Sequence, residues 1–537
     1  MWLGTLDYRS LVLSDEGRYS EIPREMAVSG DWVTPRLNGI KYFEKPPLQY
    51  WATAAAYKTF GEHPWTARLW PALTGLLCVL LVFLAGRRLF GETAAFYAAL
   101  VLASSPGFIM VAQIVTLDMG LTLFMTGTLL FFLLGFHERK PAWLLAAWAF
   151  AALAVLSKGL IGIVLPGLVF IAYIIVQRDW RRFLQLRWAM GLVVFFAIAA
   201  PWFVLVQHAN PEFFDFFFIH EHFRRFSTGE HRRPGAWWYF VPVLIFSMLP
   251  WIPQLVRALV NGWKHDARPG SGKPFMPARF LLLWSILIFL FFSRSGSKLP
   301  SYILPILPAL ALLIGLALQN TSTKVLKWQA LVLLLGSVAI AVYAPHVTRW
   351  GNEKVPAELY AHYTPWLYAA GTAGIVGFSL ALWAAIKQQK HLALITMAVS
   401  TVIAMQFAAL GHHSLAPVHS AEGLARQIRP HLEQEAKDIP FYSVHMYEQT
   451  LDFYIKRTVT TVEFADELGF GLKQEPHLWV PTIAAFREAW VKHPRALAIM
   501  GHSTYNRLKA EGLPMQIIGQ DTRRIVVRKP PFSRSPS

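Results

Sequence analysis

The chain has 537 residues, 55% of them hydrophobic and only 15% charged, with a formal net charge of +18 and a mean hydropathy of +0.38. This composition excludes an ordinary soluble globular protein. The single cysteine, Cys78, excludes a disulfide framework and reads as a small apolar filler.

Residues 1–68 come first and are polar. Segments 16–28 and 48–60 read as short helices, with Ser14 or Asp15 capping the first and Pro46-Pro47 introducing the second. Tyr50, Trp51, Tyr57 and Phe60 suit a membrane interface. Both helices are therefore expected to lie flat on the membrane as the floor of a pocket.

Apolar runs of about 17–21 residues follow, the length that crosses a bilayer. They fall at 69–86, 93–112, 117–136, 141–157, 159–177, 188–206, 236–256, 279–293, 300–318, 326–344, 366–386 and 391–410. Pro106, Pro166, Pro201, Pro250 and Pro305 sit inside these runs, where neighbouring helices can accommodate them. Together these runs form a transmembrane bundle over 69–410.

Residues 411–528 turn polar and alternating, the pattern of a small α/β domain of roughly 110–120 residues. Strands are expected at Ile439–Val444, Thr458–Val462 and Ala496–Met500, with two more within Met515–Val527. Helices are expected at Ile483–Lys492 and Ser503–Glu511. Residues 529–537 read as a disordered tail. There is no internal repeat, and nothing in this domain distinguishes capping the pocket from recognising an acceptor.

Charge sorts the connectors into two sets. One carries Arg87 and Arg88; Arg139 and Lys140; Arg178, Arg181, Arg182 and Arg187; Arg257, Lys264, Arg268, Lys273 and Arg279; Lys324 and Lys327; Lys387 and Lys390. All are basic, which assigns that set to the cytoplasm. Residues 1–68, the 116–118 and 157–159 turns, 207–235, 294–299, 345–365 and the segment after 410 then share the outer face. Basic residues scattered over short loops, with no groove or stacking platform, exclude nucleic acid as a partner. An outward segment 1–68 needs a translocating helix, so about 20 further apolar residues are expected upstream of Met1.

An ionised side chain costs about 3 kcal/mol or more in hydrocarbon, so a polar cluster beside the bundle marks a water-filled pocket. Asp15 and Asp118 each open a helix on the outer face, and each could equally be a dipole-favoured first-turn acid. Glu44-Lys45-Pro46-Pro47 presents an acid–base pair on a rigid turn, unless it is merely an exposed ion pair. His220-Glu221-His222-Phe223-Arg224-Arg225 follows in an outer loop. His220 and His222 with Glu44 offer nitrogen and oxygen ligands for a divalent metal such as zinc, although hydrated loop histidines explain them equally well. Arg224 and Arg225 oppose the charge bias, as arginines that bind a lipid phosphate would. Lys298 and Tyr302, within Lys298-Leu299-Pro300-Ser301-Tyr302, add donors suited to a phosphate alongside Lys45 and Arg225.

Asp15-Glu16-Gly17-Arg18-Tyr19, Ser29-Gly30-Asp31-Trp32-Val33-Thr34-Pro35, Tyr42-Phe43-Glu44-Lys45-Pro46-Pro47 and Lys298-Leu299-Pro300-Ser301-Tyr302 together resemble the lipid A aminoarabinose transferase family. That family belongs to the membrane glycosyltransferases that use polyprenyl-phosphate sugars, as do the protein O-mannosyltransferases. The resemblance covers the whole chain and implies a polytopic α-helical fold of GT-C type with thirteen spans, one beyond those found here, and a C-terminal α/β periplasmic domain. It implies transfer of 4-amino-4-deoxy-L-arabinose from undecaprenyl phosphate to lipid A phosphates at the periplasmic face of the bacterial inner membrane. The modification masks anionic charge and gives resistance to cationic peptides such as polymyxin.

By the same resemblance Asp15 and Asp118 are the catalytic acids, and Lys45, Arg225 and Tyr302 contact the carrier phosphate. Glu44 and His220 match positions able to hold a divalent ion. The chemistry of the residues agrees. A phosphate leaving group is already a weak base and needs cations, and a phosphate acceptor needs no proton removed. Asp15 then orients a substrate or steadies oxocarbenium-like charge. A Ser or Thr hydroxyl acceptor would instead require Asp15 as a general base. The alternatives are another polyprenyl-linked sugar, a protein acceptor, or a lipid flippase, which the absence of mid-membrane polar residues disfavours.

Overall fold

The computed structural model describes residues 2–224, 234–263, 275–435 and 438–530, without the side chains of 220–224. Helix α1 spans Asp15–Ser29, the hairpin β1 (Arg36–Leu37) and β2 (Ile40–Lys41) follows, and α2 spans Leu48–Phe60. The bundle begins with α3 (Pro64–Phe90), α4 (Glu92–Ser104), α5 (Pro106–Ala112), α6 (Asp118–Glu138), α7 (Pro141–Lys158) and α8 (Ile161–Gln177). A short turn α9 (Arg181–Leu184) and α10 (Trp188–Ala209) come next.

The protein is a multi-pass membrane protein. Among the described residues nine helices are long and apolar enough to cross a bilayer, or up to eleven if each of two bent pairs counts as one span. All twelve apolar runs fall on helical segments, with Ile161–Gln177 as a shorter apolar helix. Both bends fall at prolines, Pro106 and Pro250. The run 93–112 breaks by 62° between Ser104 and Pro106, and 236–256 breaks by 111° between Ser247 and Ile252. The residue before a proline avoids the helical region, so Ser105 turns extended and the helix restarts at Pro106.

Helix α6 is apolar all round and buried all round, as a helix at the centre of a bundle must be. Close backbone approach does the packing that water-driven burial cannot do in lipid. A Cβ on Gly315 would stand 2.4 Å from the Ala94 carbonyl oxygen of α4. Cys78 is buried against α6, its Sγ 3.8 Å from Thr126 Oγ1.

Beyond the bundle a six-stranded sheet forms in the order β5-β4-β3-β6-β8-β7. Its strands are β3 (Phe441–Val444), β4 (Thr460–Val462), β5 (Trp479–Val480), β6 (Leu497–Gly501), β7 (Gln516–Gln520) and β8 (Arg524–Arg528). Strands β3 to β6 run parallel, and β8 and β7 close the sheet antiparallel. Alternation decides what each face does. Ala498, Met500, Ile525 and Val527 meet Phe486 and Trp490 on one face. Leu497, Ile499 and Val526 on the other share a core with Ile22, Tyr50 and Tyr57 of α1 and α2.

That shared core corrects the expectation of two helices lying on the membrane. Helix α1 is buried on nearly every side, from Glu16 to Arg24, because the C-terminal domain covers it. Gly17 is required there, since a Cβ would meet the Gln449 backbone at 2.6 Å. Tyr50 and Tyr57 are core residues with 0% and 4% exposure, not interfacial ones. Ser14 holds the N-cap position of α1 without making a side-chain capping bond. The proposed tail lies outside the described residues from 531 onward.

Candidate active site

At one end of the bundle Arg88 and Lys140 both pair with Glu138, and Lys390 donates to the Gln319 carbonyl at 2.9 Å. The candidate residues gather at the other end, where α1, α6, α7 and the segment after Lys298 meet.

Asp15 opens α1, where the helix dipole favours an anion. Its carboxylate accepts from Arg18, one turn on, at 2.6 Å. Arg18 is almost fully buried and also donates to the Tyr42 hydroxyl at 3.0 Å. Its third partner is Glu467, a carboxylate supplied by the C-terminal domain. Burial raises the Glu467 pKa above the ordinary range despite the opposing pull of Arg18. The guanidinium thus gathers two carboxylates and a phenol around the edge of the site.

Asp118 opens α6 and pairs with Lys158, the last residue of α7. The Lys158 ammonium lies 5.3 Å from the centre of the Tyr302 ring, a cation–π distance, and also feels the charge of Asp15. Lys158 therefore links Asp118 to Tyr302 within electrostatic reach of Asp15, although the sequence reading gave it no role.

The turns carrying the two acids are tied by one buried ion pair. Glu16 accepts from Arg68 through both carboxylate oxygens at 2.8 Å each. Glu16 also accepts from the Val115 amide at 3.0 Å, in the turn before Asp118, and from the Val12 amide at 3.1 Å. Arg68 donates onward to the carbonyls of Leu6, Arg9 and Ser10. Burial would raise the Glu16 pKa, but the attraction and hydrogen bonds of Arg68 overcome it and hold the carboxyl below its ordinary value.

Glu44 and Lys45 follow the β1–β2 hairpin. Lys45 Nζ donates to the Glu44 carbonyl at 2.9 Å and stands 3.9 Å from its carboxylate. Glu44 faces the same cluster: after burial, its charge is the largest influence raising the Tyr42 pKa, and it also acts on Tyr19 and Tyr50. Lys41 pairs with Glu212 at 2.7 Å, and Phe43 packs edge-on against Phe213 at 5.4 Å. These contacts dock the start of the 207–235 segment beside the Glu44 turn. A π-helical stretch Asp215–Arg224 follows. The His220 side chain and Arg225 lie outside the described residues. Among the described residues no three His, Cys, Asp or Glu side chains converge as metal ligands.

Lys298 is 7% exposed, and its ammonium donates to the Ser293 and Ser295 carbonyls at 3.1 and 2.5 Å. Tyr302 lies in a 3₁₀ segment, Pro300–Ile306, with Phe292 at 5.1 Å on one side and Lys158 on another. The structure thus brings Asp15, Asp118, Glu44 and Tyr302 into one polar cluster and adds Arg18, Lys158 and Glu467. Two acids, each paired with a fixed cation, can steady developing positive charge while neighbouring cations receive an anionic leaving group.

The chain resembles known proteins over almost its whole length. Residues 44–205 match the family model for dolichyl-phosphate-mannose-protein mannosyltransferases, and 424–529 match the aminoarabinose transferase C-terminal domain. An undecaprenyl phosphate-α-4-amino-4-deoxy-L-arabinose arabinosyl transferase of Pseudomonas fluorescens is 38% identical over 322 residues, covering 59% of this chain and 54% of that protein. A Pseudomonas aeruginosa transferase of the same description is 36% identical, covering 59% of this chain and 57% of its own length. The matches thus span little more than half the length of these curated relatives.

The crystal structure of ArnT from Cupriavidus metallidurans bound to undecaprenyl phosphate superimposes with a TM-score of 0.91. It is 38% identical, with 98% of this chain and 95% of that chain covered. Its apo form superimposes with a TM-score of 0.89. Fold and cluster together define a polytopic membrane protein with the GT-C glycosyltransferase architecture. The chain belongs to the aminoarabinose transferase family.

Proposed function

We propose that this protein transfers 4-amino-4-deoxy-L-arabinose from undecaprenyl phosphate to phosphate groups of lipid A at the periplasmic face of the inner membrane. The observation that carries the reading is the convergence of Asp15 and Asp118, from helices far apart in sequence, on the charge of Lys158. The relatives' descriptions support the donor and the sugar.

In this reading the bond from the sugar C1 to the carrier phosphate breaks, and a bond from C1 to a lipid A phosphate oxygen forms. The carrier phosphate leaves as an anion, stabilised by Lys45, Arg225 and Lys298, with Tyr302 as a hydroxyl donor. Asp15 steadies the positive charge that develops on the sugar ring, and Asp118 acts with Lys158 in holding the substrate. An anionic acceptor phosphate needs no general base. The added ammonium masks lipid A charge, which accounts for resistance to cationic peptides such as polymyxin.

Purified protein given labelled donor and either lipid A or a Ser/Thr peptide tests this reading. Label is expected in lipid A alone. Label in the peptide would favour the rival reading, in which Asp15 is a general base.

A further inference from the structure

The end of the bundle remote from the acids holds a cavity of about 490 Å³ lined by Thr323, Lys324, Lys327, Trp328, Leu331, Leu382, Ile386 and Gln388. It lies between the start of the helix Thr323–Tyr343 and the end of the helix Ala357–Ile386. Farther along, these two helices touch so closely that a Cβ on Gly374 would stand 2.3 Å from Ser337 Oγ. Toward the basic end larger side chains line the gap, and a space remains between them.

Three observations state what that space accepts. Lys324 and Lys327, one helical turn apart, both line the cavity, and neither forms an ion pair among the described residues. Trp328, 64% exposed, lines the cavity beside the lysines, and an amphipathic indole suits a membrane interface. The walls below are Leu331, Leu382 and Ile386, and the exposed row Val332 and Leu335 continues from Trp328 along the helix face into the bilayer. A cationic mouth over an apolar slot matches an anionic head joined to an acyl chain.

We propose that this cavity is a binding site for an anionic glycerophospholipid, with its phosphodiester between Lys324 and Lys327 and an acyl chain along Leu331 and Leu382. The site is separate from the transfer chemistry. Tyr302 stands near the start of the helical segment Pro300–Gln319, and the cavity begins only after its far end. The inference therefore does not rest on the proposed reaction.

Native mass spectrometry of the detergent-purified protein, titrated with phosphatidylglycerol or phosphatidylcholine, tests it. Wild type is expected to retain phosphatidylglycerol in preference. Each lysine near an anionic head is worth about five-fold in affinity, so K324A/K327A should weaken phosphatidylglycerol binding roughly 30-fold. Leu331→Trp, which fills the slot and keeps both lysines, should also displace the lipid. Melting temperature in added phosphatidylglycerol should rise for wild type and not for either variant, while inorganic phosphate should raise none of them. Equal retention by wild type and both variants would overturn the proposal. So would stabilisation by inorganic phosphate alone, which would identify a free-anion site instead.

Discussion

Glu16 and Arg68 form a bidentate ion pair with side-chain exposures of 1% and 0%, and the same carboxylate holds the amide of Val115. Asp15 precedes Glu16 directly, and Asp118 follows Val115 by three residues. The pair therefore fixes the spacing of the two acids. Glu16→Gln leaves the Arg68 cation buried without a counter-charge, which costs about 3–5 kcal/mol. The variant is expected to melt well below wild type in detergent and to lose turnover. Adding Arg68→Met should recover part of the stability, because the unpaired charge goes with it. A double variant no more stable than Glu16→Gln would contradict this.

Lys158 is the link between Asp118 and the Tyr302 ring. Lys158→Met is expected to lower kcat on the order of 100-fold or more, the scale of removing one preorganised electrostatic contact. Lys158→Arg, which keeps the charge, should retain more activity. Single-turnover kinetics with saturating donor would separate the chemical step from binding. Equal rates for Lys158→Met and wild type would remove this residue from the account.

Glu467 reaches Arg18 from the C-terminal domain, so the domain borders the cluster around Asp15. Glu467→Gln should leave Asp15 as the one carboxylate paired with Arg18, so that more of the Arg18 charge is neutralised by Asp15. Turnover is expected to fall about ten-fold with little change in melting temperature. A large loss of stability with unchanged turnover would reduce Glu467 to a structural contact.

Residue pattern revealed the bundle and much of the soluble domain, because apolar length and strand alternation are local signals. The helices Leu48–Phe60 and Ile483–Lys492 have the expected bounds. The acids Asp15 and Asp118 were legible as polar residues at helix starts on one side of the membrane. Lys158 was not, since a single lysine ending an apolar run resembles an interfacial anchor. Its position in a turn on the same side as the acids was the available signal. Glu467 carries no local signal at all, because its role arises from a fold that lays distant chain over α1. The burial of Tyr50 and Tyr57 was hidden for the same reason. Strand β5, two residues long, is too short for alternation to show.

The joint between α1 and the C-terminal domain contains Glu21, Glu25 and Asp452 with Arg24. Arg24 donates to Glu21 at 2.6 and 2.7 Å, and the Tyr447 hydroxyl donates to Asp452 at 2.9 Å. Burial, then the charge of Glu21, raises the Glu25 carboxyl to about 8, and the same two causes raise Asp452. A raised acid binds its proton in the folded state where the unfolded chain has released it. Stability contributed by Glu25 is therefore full below its ordinary value of 4.5 and is lost as pH rises toward about 8. The melting temperature is expected to fall across that window, and Glu25→Gln should flatten the fall. An identical slope in the variant would show that this carboxyl does not titrate there.

The most direct test of the account is mass spectrometry of lipid A from cells that lack their own aminoarabinose transferase and express this protein or its Asp15→Asn variant. Aminoarabinose-modified lipid A is expected with wild type and none with Asp15→Asn, at equal levels of folded protein in the membrane. Modification at the wild-type level by Asp15→Asn would contradict it.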